Sequence, residues 1–238
     1  MIQALKGVRH LKSSAMKQAV SELSVPVPWG ELRGKVWGPD HGRPVLCVHG
    51  WADNCGTFNT LIPLLPKECR YVAVDLAGHG RSSHRPPGVF YSFPAYVADV
   101  RRVVDALQWS KFSIIGHSMG ADIAGMYSAL YPEMVDALIL LDGYGFLPTD
   151  PKEISKVMRQ GMDEMIQFEK ITEEERRVYT YEKAVERYHA VRAVGDFIRN
   201  NRPVVALPVY SAVGQNILFL SGCWLQTRLC LNSLLTSC

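Results

Sequence analysis

Short, almost wholly apolar runs recur through the first 150 residues, at Val45–Val48, Tyr71–Val74, Phe112–Ile115 and Ala137–Leu141. Between them, Phe58–Leu65, Tyr96–Leu107 and Ala121–Leu130 carry apolar residues at helical spacing. A strand that is apolar at nearly every position has both faces buried, and alternation with helices supplies the cover. The pattern therefore predicts an α/β fold with a mostly parallel sheet. Ahead of it, Leu23–Val27 and Glu31–Trp37 alternate around Pro28-Trp29-Gly30, which predicts an opening antiparallel hairpin. From Pro151 to about Asn200 the chain is charged and helical, with Met158, Met162, Met165 and Ile166 at i, i+4, i+7 and i+8. This predicts a helical cap over the C-terminal edge of the sheet, its methionine stripe packed on the body or lining an apolar channel. Four regions result: a basic extension (1–19), an α/β body (20–150), a helical cap (151–202) and an atypical tail (203–238).

Composition changes this picture little. A chain of 238 residues suits one domain and can bury about 70% or more of its unfolded surface. The net charge of +3 is local: residues 1–20 hold Lys6, Arg9, Lys12 and Lys17 without an acid, leaving 22 basic against 23 acidic residues elsewhere. A neutral body offers no footprint for nucleic acid. No apolar run has the length of a membrane span, since Pro208, Gln215 and Asn216 interrupt Pro203–Leu220. The N-terminal segment sets Ala4, Leu5, Val8, Leu11 and Ala15 against its basic residues, as a mitochondrial transit peptide does, and reads equally as a frayed extension before Met16. The six cysteines show no zinc-like or C-x-x-C spacing, which fits reduced thiols of an intracellular, cytoplasmic protein, with mitochondrial or peroxisomal association left open.

The chemistry gathers at Gly116-His117-Ser118-Met119-Gly120, between the apolar run 112–115 and the helical stretch 121–130. A serine on so sharp a strand-to-helix turn, flanked by glycines because a Cβ there would collide with the turn, is a nucleophile elbow. His49-Gly50-Trp51 follows the run Val45–Val48. The amides of Trp51 and Met119 are therefore the candidate oxyanion donors, and His49 is expected to brace its own turn.

In order and spacing, His49-Gly50-Trp51-Ala52-Asp53-Asn54, Asp75-Leu76-Ala77-Gly78-His79-Gly80-Arg81-Ser82 and Gly116–Gly120 resemble the α/β-hydrolase superfamily. With Leu61-Ile62-Pro63-Leu64-Leu65-Pro66 and Pro132-Glu133-Met134-Val135-Asp136, the chain resembles the serine hydrolase-like proteins of animals over residues 20–150, and more weakly over the cap. The resemblance implies hydrolysis of a carboxylic ester or related small acyl compound through an acyl-enzyme on Ser118, with no cofactor and no metal. Oligomeric state is left open.

Such hydrolases continue after the cap with two strands, the first followed by the acid and the second by the histidine. Here His189 alone follows Ser118, within the helical pattern Glu182–Arg192, and it is expected on a helix surface. Asp142, at a strand end, is expected to cap the turn Gly143-Tyr144-Gly145. From Phe197 to Cys238 there is no acid, and residues 222–228 have no regular period. The tail thus resembles an alternative or truncated C-terminus, and the final two strands are expected to be missing. This leaves a rival reading, a non-catalytic relative that keeps the elbow and lacks the base. Phosphate-loop, dinucleotide and H-E-x-x-H motifs are absent from the sequence.

Overall fold

In the computed structural model, which describes residues 19–143, 150–171 and 180–186 and the backbone of 205–210 and 216–221, the opening hairpin is β1 (Val20–Val27) and β2 (Gly30–Trp37). Among the described residues six further strands follow: β3 (Arg43–Val48), β4 (Cys69–Val74), β5 (Phe112–His117), β6 (Val135–Leu141), β7 (Val205–Tyr210) and β8 (Asn216–Ser221). The sheet order is β1-β2-β4-β3-β5-β6-β8-β7. Strands β4, β3, β5, β6 and β8 run parallel, while β1, β2 and β7 pair antiparallel with their neighbours.

Alternation along each parallel strand builds two cores. Leu46, Val48, Val72, Val74, Ile114, Leu138 and Leu140 face α1 (Phe93–Ala106) and α2 (Met119–Leu130), meeting Val97, Val100, Val104, Ile123 and Tyr127. Val45, Cys47, Tyr71, Ala73, Ile115, Ile139 and Leu141 face the other way, onto Phe58, Leu61, Ile62 and Leu65. Side chains that alternate across a pleat and are apolar on both faces account for the near-continuous runs, each buried aliphatic contributing about 1.5–3 kcal/mol.

Three expectations need correction or qualification. The helix predicted over Phe58–Leu65 is two short 3-10 turns, Cys55–Asn59 and Ile62–Leu64. Pro63 has no N–H to give and its ring would clash with the carbonyl four residues back, so an α-helix cannot run through it. The sheet also continues where its last strands were expected to be missing. β8 pairs with β6 from Ala137↔Asn216 to Leu141↔Leu220, and β7 closes the edge. Ile217–Leu220 carries the same apolar signature as the body strands, and Pro208 is tolerated because β7 is an edge strand. Finally, α3 (Ile154–Glu169) forms where the cap was expected; of the stripe, Met165 is half-buried, while Met158, Met162 and Ile166 stay 55%, 48% and 48% exposed, so three of its four residues are not packed on the body among the described residues. The basic extension, His189, residues 144–149 and the tail beyond Ser221 lie outside the described residues.

Candidate active site

β5 ends at His117 and α2 begins at Met119, so Ser118 alone turns the chain, at φ 51° and ψ −121°. A non-glycine residue in such a region carries about 1–3 kcal/mol of strain and persists only where its surroundings over-determine it. Here the Ser118 N–H donates to the Leu141 carbonyl at 3.0 Å, and the Ser118 carbonyl accepts the Ala121 N–H at 2.8 Å. A Cβ on Gly116 would lie 2.3 Å from the Gly120 oxygen, and one on Gly120 would lie 2.2 Å from the Val48 oxygen. Both contacts are to backbone, which cannot swing aside. The Ser118 side chain is left exposed at the C-terminal end of the sheet.

The turn after β3 lies directly beside it, for a Cβ on Gly50 would fall 3.1 Å from Ser118 Cβ and 3.3 Å from His117 Nδ1. Trp51 follows, 72% exposed, its ring edge-on to His79 at 6.0 Å. Among the described residues, the N–H groups of Trp51 and Met119 donate to no backbone carbonyl. Met119 is the first residue of α2, where helix geometry leaves the amide without an internal acceptor. Ala52, Ser118 and Asp142 are three of the four described non-glycine residues with positive φ, at 52°, 51° and 50°. They follow the adjacent strands β3, β5 and β6, so backbone strain collects at one end of the sheet.

The histidines are accounted for separately. His49 is fully buried, its Nδ1 2.7 Å from the Gly50 oxygen and its Nε2 accepting the Leu76 N–H at 3.0 Å; burial pushes its pKa below the usual imidazole range. His79 meets the Ala77 carbonyl through Nδ1 at 3.1 Å, and His84 lies 3.4 Å from the Tyr91 hydroxyl. None of these bonds reaches Ser118. Asp142 is exposed at the end of β6, and the turn it was expected to cap lies outside the described residues. Burial raises the thiol pKa values of Cys47, Cys55 and Cys69, that of Cys55 to about 12, which leaves these three inert as nucleophiles.

Two ties were not legible in the motifs. The Asp75 carboxylate accepts the Cys55 N–H at 2.6 Å and the Arg81 N–H at 2.9 Å, joining the loop after β3 to the loop after β4. Farther out, buried Asp99 of α1 pairs with Arg85 and with Arg102, and the two guanidiniums lie 4.7 Å and 5.0 Å from the Trp29 ring centre. An acid inside the apolar stripe Tyr96, Val97, Val100 is the signal that predicts a buried cation partner, though not which one. No group of three or more His, Cys, Asp or Glu among the described residues gathers closely enough to hold a metal ion, and no described helix is long and apolar enough to cross a membrane.

Residues 43–201 match the alpha/beta hydrolase fold family, and the chain belongs to it. Within that family it resembles the serine hydrolase-like proteins. It is 63% identical over 188 residues to the serine hydrolase-like protein of Danio rerio, covering 79% of this chain and 58% of that protein. It is 43% identical over 179 residues to the serine hydrolase-like protein of Homo sapiens, covering 74% of this chain and 88% of that protein. The chain thus spans little more than half the length of the Danio rerio relative. Among solved structures, it is similar to a hypothetical protein of Pseudomonas aeruginosa PAO1, with TM-score 0.65 and 32% identity over 82% of this chain and 67% of that one. It is also similar to a thioesterase domain from the curacin biosynthetic pathway, with TM-score 0.52 and 27% identity over 62% of this chain and 53% of that one.

Proposed function

We propose that the chain is the nucleophile-bearing body of a serine hydrolase that acts on carboxylic esters or related acyl compounds. The observation that carries this reading is the strained, exposed Ser118 between two glycines that no larger residue can replace, at the end of the sheet where Ala52 and Asp142 also hold positive φ. Ser118 Oγ would attack the acyl carbon while its proton passes to a base. The carbonyl oxygen, now carrying the negative charge, would lie between the amides of Trp51 and Met119. Collapse expels the alcohol with a proton and leaves the acyl group on Ser118, and water then releases the acid. Preorganised donors of this kind are worth about 3–4 kcal/mol of transition-state stabilisation.

A second reading has its own support: the described hydrogen bonds of His49, His79 and His84 all go elsewhere than Ser118. On that reading the chain is a binding relative whose serine stays a neutral hydroxyl. A fluorophosphonate probe separates the two, because it reacts with an activated serine. Labelling that disappears in Ser118→Ala, with unchanged thermal unfolding, is the result expected of the hydrolase; an unlabelled wild-type chain favours the binding relative.

A further inference from the structure

We propose that His49 is a positioning residue, whose imidazole sets the plane of the Gly50–Trp51 peptide and so aims the Trp51 N–H. The consequence for chemistry rests on the reading of that amide as an oxyanion donor; the geometry does not. His49 is fully buried and cannot touch a substrate. Its two nitrogens have fixed and opposite duties. The Gly50 carbonyl accepts, so Nδ1, at 2.7 Å, must carry the hydrogen; the Leu76 amide donates, so Nε2, at 3.0 Å, must present its lone pair. The ring is thereby locked as one neutral tautomer between the loops after β3 and β4.

What the Nδ1 bond holds is half of a peptide unit. A trans peptide is planar, with its C=O and N–H on opposite edges. Drawing the Gly50 oxygen inward to His49 therefore turns the Trp51 N–H away from the buried ring. Gly50 stands against Ser118, with 3.1 Å between Ser118 Cβ and the place a Gly50 Cβ would take, so the peptide that is held is the one bordering the serine. The other end of the relay is equally fixed. Leu76 follows Asp75, whose carboxylate holds the Cys55 and Arg81 amides and so ties the loop after β4 back to the loop after β3. Leu76 N–H, imidazole, Gly50 carbonyl and Trp51 N–H form one series of links.

Protonation breaks that series, because a second ring hydrogen on Nε2 would face the Leu76 N–H donor to donor. The groups around the ring are His79, at 5.2 Å between ring centres, Asp53 and Asp75, with His117 across Gly50. Burial, the largest effect, and His79 disfavour the imidazolium, whereas the bond to the Gly50 carbonyl and the two carboxylates favour it.

Two near-isosteric substitutions separate the nitrogens. In His49→Asn the side-chain amide N–H stands near Nδ1 and can keep the bond to Gly50; in His49→Gln the side-chain oxygen can reach the Nε2 position and keep the bond from Leu76, without a donor at Nδ1. The readout is the residual dipolar coupling of the Trp51 amide in the full 15N-labelled chain, with fluorophosphonate labelling measured in parallel. We expect His49→Asn to keep the wild-type coupling. His49→Gln should change it and slow any Ser118 labelling about 10- to 100-fold, as a misaimed oxyanion donor would. Wild-type coupling in His49→Gln overturns the proposal. A coupling that follows the expected pattern in a chain whose Ser118 never labels supports the positioning and overturns the hydrolase reading, so the two failures are distinct. If neither variant folds, the wild-type chain is titrated from about pH 7.5 to about pH 5. The Trp51 coupling must then change in step with the His49 ring nitrogen shifts, and a coupling that stays constant while they move overturns the proposal.

Discussion

In the interior of the sheet, Leu46, Cys47, Ile114, Ile115 and Ile139 expose none of their surface, and β3 keeps regular register with both β4 and β5. At the C-terminal ends of the same strands, Ser118 and Asp142 are exposed, Trp51 shows 72% of its surface, and Ala52, Ser118 and Asp142 hold positive φ. The contrast shows where each region's stability comes from. A strained turn costs about 1–3 kcal/mol and cannot hold itself, so it must be imposed by neighbours that have no freedom to yield. Val48 and Leu141 are such neighbours, being both the buried ends of their strands and the backbone against which Gly120 and Ser118 are set. The rim keeps its shape because the interior cannot change.

The sharpest way to break this contrast is to remove atoms from the interior. Ile114→Ala should cost about 2–5 kcal/mol in urea unfolding, by lost burial and by the cavity it leaves. Met162→Ala, on the half-exposed face of α3, should stay within about 0.5 kcal/mol of wild type. An equally large loss at Met162 would show that the α3 face is covered in solution, and the interior would then have to be drawn to include it.

The second test lies where the two regions join. His49 is buried with its pKa below the ordinary imidazole value, so the unfolded chain takes up a proton at this site at a higher pH than the folded chain does. Its contribution to stability is therefore complete above about pH 6.5 and is lost as pH falls from there through the folded value. Unfolding midpoints between about pH 8 and about pH 5 should fall more steeply on the acid side in wild type than in His49→Asn, which has nothing to titrate. Parallel curves would mean that the ring accepts a proton in place, and that the link to Leu76 is weaker than its geometry implies.

How much of this was legible differs between the two regions for a physical reason. The interior announces itself, because burial on both faces forces apolar runs whatever the strand pairs with. That made β3 to β6 plain, and Ile217–Leu220 offered the same signal for β8. The missing acids of the tail argued against a strand there, although a doubly buried strand has no need of them. The rim is legible in residue type but not in geometry. Glycines at 116 and 120 predict a tight turn, and His-Gly-Trp predicts a loop, yet nothing local states that His49 bonds forward to Gly50 and across to Leu76. Asp99 and Arg85, fourteen residues apart, meet through the fold and share no period.

The smallest expected effect probes the strain itself. Glycine adopts positive φ without a Cβ penalty, whereas alanine does not. Ser118→Gly should therefore release about 1–3 kcal/mol of strain. Against this stands about 0.4–1 kcal/mol of added freedom in the unfolded chain. The balance is a gain of about 1 kcal/mol, or about 2–4 °C in Tm for a chain of this size. Ser118→Ala keeps the Cβ and the strain, so it should unfold with wild type. The pair isolates the backbone, since both substitutions remove the hydroxyl and only one removes the conflict at φ 51°. If glycine and alanine unfold together, Ser118 stores no strain. The rim would then be held by its own hydrogen bonds to Leu141 and Ala121, and not imposed on it by the interior.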